Sequence, residues 1–208
     1  SPIVSANCRT ARKIGSVGKA LPGVTVKIDS SVLGDGSGDG EIVVFGPNVM
    51  LGYHNLPEET KAVMTAEGGF RTGDRGRLDS DGFLYITGRI KEQYKLENGK
   101  YVVPAPLEEQ LQISGFITQI YVDGANKPYN VALIVPDKVA VESWAKEQGL
   151  GADLESVLKQ PETKQLFARE LDKFSADFKG YERIKEFAFI TEEFTVANGM
   201  LTPSLKLK

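Results

Sequence analysis

Residues 70–89, Phe-Arg-Thr-Gly-Asp-Arg-Gly-Arg-Leu-Asp-Ser-Asp-Gly-Phe-Leu-Tyr-Ile-Thr-Gly-Arg, constrain this chain more than any other stretch. Thr72-Gly73 and Thr87-Gly88 read as two turns set about one hairpin apart, and Asp79-Ser80-Asp81-Gly82 reads as a turn between two strands. Glycine lets the backbone turn sharply and approach a ligand closely. The pattern puts Asp74 just after the first Thr-Gly pair and Arg89 just after the second.

The sequence around this stretch is β-rich as far as residue 88. Residues 24–28 alternate in strand fashion, and residues 41–45 read as a second strand. Between them lies Gly34-Asp35-Gly36-Ser37-Gly38-Asp39-Gly40, which lacks the alternating ligands and closing Glu of a calcium loop and so reads as a solvated hairpin loop. Residues 57–64 read as a short helix, with Asn55 as its cap and Glu58 and Glu59 at its positive end. Residues 83–86 read as a strand, and residues 94–103 as a hairpin about Asn98-Gly99. From Pro104 the character changes. Helical patterns at 104–113, 139–148 and 163–178 alternate with apolar strand-like runs at 117–122, 129–135 and 184–190. The class is α+β: a β-rich lobe over residues 1–88, then a small α+β lobe over 89–208, joined near residues 89–95.

Composition removes several classes of function. A net charge of −3 provides no basic field to recruit nucleic acid. The single cysteine, Cys8, excludes an intramolecular disulfide framework and suits a reducing compartment. With the single histidine, His54, far away in sequence, Cys8 reads as an ordinary small residue and His54 as a surface or structural one; no metal site is expected. No run of about 18 apolar residues suggests a membrane span, and residues 1–7 lack the order of a signal peptide. The usual phosphate loops also fail. Gly18-Lys19 is followed by Ala20, Lys13 stands where the first Gly of a Walker loop belongs, and no dinucleotide fingerprint joins a strand to a helix.

Asp74 and Arg89 carry the chemistry. A carboxylate accepts hydrogen bonds from the two hydroxyls of a ribose, and a guanidinium donates to the same sugar or to a phosphate. The residues alone leave Asp74 open between that contact and a turn aspartate capping its own backbone, and Arg89 between it and a surface salt bridge. Thr72-Gly73-Asp74 and Gly88-Arg89-Ile90-Lys91-Glu92, at this spacing, resemble the adenylate-forming enzymes: acyl-CoA synthetases, luciferases and the adenylation domains of peptide synthetases. The tail Asn198-Gly199-Met200-Leu201-Thr202-Pro203-Ser204-Leu205-Lys206-Leu207-Lys208 resembles the ending of long-chain fatty acid–CoA ligases. The resemblance runs over essentially all 208 residues and maps to the C-terminal part of such an enzyme.

The resemblance implies a distorted, barrel-like form for the β-rich lobe. It implies ribose contact for Asp74, ribose or phosphate contact for Arg89, and a hinge at Lys91 about which the small lobe rotates between two half-reactions. Lys95 and Lys100 flank the Asn98-Gly99 turn, on a hairpin implied to lie beside the pantetheine tunnel, with Lys95 as a candidate phosphate contact. Lys206 matches the terminal lysine whose charge stabilises the adenylation step, and Lys208 is the competing choice. The implied ligands are ATP or AMP, CoA and a fatty acid, with Mg²⁺ held by a ligand outside this chain and no nucleic acid partner. The implied location is cytoplasmic, with peripheral contact at the inner face of a membrane allowed. Because the chain has neither a phosphate-holding Ser/Thr/Gly-rich loop nor an initiating Met, the expectation is a C-terminal fragment, inactive alone. Two alternatives stand beside it: another acid–thiol ligase or acyl-AMP transferase on the same scaffold, and a non-catalytic module that binds nucleotide or a partner.

Overall fold

A computed structural model describes residues 3–33, 38–151 and 153–203, and the chain divides into two compact units between Gln93 and Tyr94. In the first unit, β1 (Ser5–Ala6), β2 (Gly18–Ala20), β3 (Thr25–Asp29), β4 (Gly40–Phe45), β5 (Phe70–Leu78) and β6 (Phe83–Arg89) form one antiparallel sheet, ordered β1-β2-β6-β5-β4-β3. The single α-helix described in this unit, α1 (Pro57–Val63), precedes β5. The sheet is open, with β1 and β3 at its edges, so the barrel-like expectation takes the form of an unclosed sheet. Ile42, Val44 and Leu84 pack on one face, where Val4, Val17, Val24, Val26, Ile28 and Val49 cover them in part. Strand β4 lies between β3 and β5 and is buried on both faces, which is why it reads as a near-continuous apolar run.

The second unit begins with a small hairpin, β7 (Tyr94–Lys95) and β8 (Tyr101–Val102). Then follow α2 (Pro104–Leu111), β9 (Ile117–Asp123), β10 (Asn130–Pro136), α3 (Lys138–Glu147), α4 (Leu154–Leu158), α5 (Pro161–Phe174) and β11 (Ile184–Phe189). The sheet order is β11-β10-β9, with β9 antiparallel and β11 parallel to β10. A parallel pair needs a long crossover, and α3, α4 and α5 supply it. Phe167 is fully buried, its ring 4.7 Å from that of Phe189 and 6.4 Å from that of Phe116, among Leu107, Leu111, Ile134 and Val141.

Local chemistry accounts for the helix starts. Pro57, Pro104 and Pro161 each open a helix, where a missing N–H costs nothing. Asp137 and Asp153 cap α3 and α4 by accepting from the N–H of Ala140 at 2.8 Å and of Ser156 at 3.0 Å. Asn55 is not the cap of α1. Leu56 holds that position without a side-chain bond, and Asn55 adopts a left-handed backbone at φ 55°. Strands β1 and β2 and helix α4 are absent from the sequence expectations because they are short.

Candidate nucleotide site

The two Thr-Gly pairs are not turns. Both lie inside strands, and the only reversal between them is the turn at residues 79–82. There Asp79 Oδ1 accepts from the N–H groups of Asp81 and Phe83, both at 2.9 Å, and Gly82 takes φ 80°. Lys13 Nζ donates to Asp79 and Asp81 at 2.6 Å each. That contact draws the Asp79 carboxyl down to about 2, and its neighbouring N–H donors add to the shift.

Antiparallel pairing away from this turn sets Asp74 directly across from Arg89, and Arg89 Nε donates to Asp74 Oδ1 at 2.9 Å. The Asp74 side chain is 27% exposed and that of Arg89 51%. Asp74 does not cap its own backbone. Thr72 does that work, its hydroxyl accepting from the Asp74 N–H at 3.0 Å and donating to the Ile42 carbonyl at 2.9 Å. Gly73, at φ 71°, bends the strand immediately before Asp74, and its N–H donates to Glu41 at 3.2 Å. Gly76 is needed for a different reason: a Cβ there would lie 2.3 Å from the Tyr85 carbonyl of the paired strand.

Asp74, Arg89 and Thr72 form part of the wall of a cleft of about 450 Å³ on the sheet face, otherwise lined mainly by apolar side chains such as Met50, Phe70 and Ile86. A mostly apolar hollow with a few convergent polar groups is the usual form of a small-molecule site.

Arg75 was missed at the sequence level. Side chains alternate along a strand, so Arg75 points to the opposite face from Asp74. It is buried, and it donates to Asp39 at 3.1 Å and to Gln93 at 3.1 Å, while Thr87 also donates to Asp39 at 2.7 Å. The residue beside the candidate ribose contact is thereby tied to the last residue of the first unit. The signal was present in Asp74-Arg75, but a buried arginine is recognisable only once its carboxylate partner is known.

The other expected residues fall in different places. Lys91 is exposed, in a short 3-10 turn spanning Ile90–Glu92. Lys95 belongs to the second unit, exposed on β7 with Nζ 5.6 Å from the centre of the Tyr101 ring. The hairpin closes through Leu96 N–H to Lys100 O at 2.8 Å with Gly99 at φ 84°, and the Lys95 carbonyl accepts from Asn126 at 2.9 Å. Just before Lys95, the Tyr94 hydroxyl donates at 2.8 Å to the buried Asn130, and burial raises the phenol well above its usual range. Lys206 and Lys208 lie outside the described residues. Cys8 is exposed beside Thr10, whose hydroxyl lowers the pKa of its thiol, and the His54 ring is 3.1 Å from the side-chain amide of its neighbour Asn55. Among the described residues no group of His, Cys, Asp and Glu is arranged to hold a metal, and no helix is long and apolar enough to cross a membrane.

Residues 91–172 match the family described as AMP-binding enzyme C-terminal domain. The adenylation domain of a carboxylate reductase from Mycobacterium chelonae superposes on 93% of this chain, and on 29% of its own, with a TM-score of 0.73 and 28% identity. The chain belongs to the adenylate-forming superfamily. Another adenylate-forming structure, O-succinylbenzoate CoA synthetase from Bacillus subtilis in complex with AMP, covers 94% of the chain and 34% of its own at a TM-score of 0.64 and 26% identity. In sequence, the chain is 36% identical over 198 residues to the long-chain-fatty-acid–CoA ligase FadD15 of Mycobacterium tuberculosis, covering 94% of this chain and 32% of that one. It is 34% identical over 200 residues to the human long-chain-fatty-acid–CoA ligase 6, covering 93% and 29%. The chain thus spans about a third of the length of the curated relatives it matches.

Proposed function

We propose that this chain serves a long-chain fatty acid–CoA ligase as its C-terminal part and is inactive alone. In the first step a carboxylate oxygen bonds to the α-phosphorus of ATP, and the bond to pyrophosphate breaks, giving acyl-AMP. In the second, the sulfur of CoA bonds to the acyl carbon, the bond to AMP breaks, and the thiol proton is released. The first step thus replaces the poor leaving group of the carboxylate with AMP, a good one, which the second step expels.

The observation that carries this reading is the pairing of Asp74 with Arg89 across β5 and β6 at a mainly apolar cleft. In this reading the Asp74 carboxylate accepts from the ribose hydroxyls, and Arg89, already oriented by Asp74, donates to the sugar or a phosphate. Lys91 is the pivot, a polar residue in a turn two residues before the unit boundary. Lys95 contacts phosphate, and Lys206 offsets the charge that builds at phosphorus during adenylation. Mg²⁺ has its ligand outside this chain. The site of action is the cytoplasm, with peripheral contact at a membrane's inner face.

The test is made on the protein at its native length. Lys206→Ala is expected to abolish pyrophosphate exchange with fatty acid and ATP, yet to form acyl-CoA from pre-made acyl-AMP. Equal loss of both steps would end this division of labour. A second reading, in which a carrier protein rather than CoA accepts the acyl group, draws support from the carboxylate reductase likeness. Competition between the two acceptors separates the readings.

A further inference from the structure

Beyond β11 the described chain has no regular element except an isolated bridge residue at Leu201, yet its backbone is held at defined points. Gln119, on β9, grips one residue from both sides. Its Oε1 accepts from the Phe194 N–H at 2.7 Å, and its Nε2 donates to the Phe194 carbonyl at 3.0 Å. A single side chain therefore satisfies both backbone groups of Phe194, as a neighbouring strand would. The Phe194 side chain is itself buried, 6% exposed.

Asn198 closes the loop that follows. Its Oδ1 accepts from the N–H groups of Thr195 at 3.1 Å and Met200 at 3.2 Å. Its Nδ2 donates to the Glu193 carbonyl at 2.8 Å and to Glu192 Oε1 at 3.0 Å. The Thr195 carbonyl accepts from Leu201 N–H at 2.9 Å, and Gly199 supplies the left-handed turn at φ 79°. Residues 192–201 are thus a closed loop fastened to β9 at Phe194. Burial of Phe194 alone would hold the loop near the sheet; the paired hydrogen bonds fix its register.

We propose that Gln119 and Asn198 are positioning residues for the terminal lysine: Gln119 fastens the loop to the sheet, and Asn198 sets where and in which direction the chain leaves it. This rests on the reading of Lys206 given above. Lys206 follows Leu201 by five residues in sequence. Five extended residues reach at most about 17 Å, so the departure point bounds where the ammonium can act. A loop released from β9 spreads that departure point over many positions, and the lysine spends less time where charge develops.

The experiment uses the protein at its native length with Gln119→Met, which keeps the volume and removes both hydrogen bonds, and Asn198→Ala. Pyrophosphate exchange is expected to fall roughly ten- to hundredfold in kcat, with KM for ATP unchanged. Thioester formation from pre-made acyl-AMP is expected to hold, while amide exchange at Phe194 accelerates. Equal loss of both half-reactions would assign the pair a merely structural role and overturn the proposal. Faster exchange at Phe194 with adenylation intact would overturn it as well. Lys206→Ala run in parallel separates the two levels. If that variant still adenylates, the lysine reading fails and takes this inference with it; if it does not, while Gln119→Met does, this inference alone falls.

Discussion

In the first unit, β3, β4 and β5 are stitched together by Arg71, which donates to both Asp29 and Glu41, and β5 is pinned again by Arg75 on Asp39. In the second, the sheet and helices close around Phe167, with Phe116, Phe187 and Phe189 about it. One unit uses ion pairs to fix the register of an open sheet whose apolar face is hollowed by a cleft. The other buries rings. The partly exposed Arg71 pairs add little net stability but forbid the wrong register, because a slip leaves charges unpaired, whereas the buried Arg75–Asp39 pair is costly to break. A buried aromatic cluster supplies stability in quantity and little specificity. The unit with the candidate ribose contact is the one built for register.

The sharpest way to break this comparison is to remove the ring. Phe167→Ala should cost about 3–5 kcal/mol, and amide exchange should rise throughout β9, β10 and α5 while β4 and β5 stay protected. Loss of protection spread evenly over both units would show that they do not differ as described. Next in size, Arg75→Met takes from the buried Asp39 carboxylate its closest guanidinium, although the Thr87 hydroxyl still donates to it and Arg77 lies 3.8 Å away. The substitution should cost about 2–3 kcal/mol by denaturant unfolding, and Gln93 should lose its order. Smaller again, Gly73→Ala forces a side chain into φ 71° and should cost about 1 kcal/mol. It should also move Asp74 off Arg89, visible as weaker AMP binding; unchanged affinity would separate Asp74 from the nucleotide.

The smallest effect concerns pH. The Asp79 carboxyl is held at about 2 in the folded chain, against an ordinary 3.8, first of all by Lys13. Its contribution is therefore complete above about pH 4 and is lost as pH falls toward 2. Acid unfolding of Lys13→Met should lack that part of the slope while keeping the rest; an identical acid profile would remove Lys13 as its cause.

Much of this was legible in the chain itself. Residues 24–28 and 41–45 became β3 and β4, because alternation and apolar runs reflect burial directly. Pro104, Asn98-Gly99 and the turn at residues 79–82 behaved as local chemistry dictates, since their conformational limits are intrinsic. The expected end of the helix at residue 178 came instead at Phe174, where Ser175 turns its hydroxyl onto the Leu171 carbonyl. Thr72-Gly73 misled for the same kind of reason. Its glycine does take the left-handed backbone a turn would need, but two neighbouring strands absorb the kink, with a register shift just beyond at Arg75 and Gly76.

The identities of Asp74 and Arg89, their glycine neighbours and the helix-forming stretches could thus be read from residues and their near neighbours alone. The register that faces Asp74 with Arg89, the turning of Arg75 toward Asp39, and the grip of Gln119 on Phe194 across 75 positions could not. Those depend on which distant segments pair, and distant pairing is selected by the whole sheet and core at once rather than by any local preference.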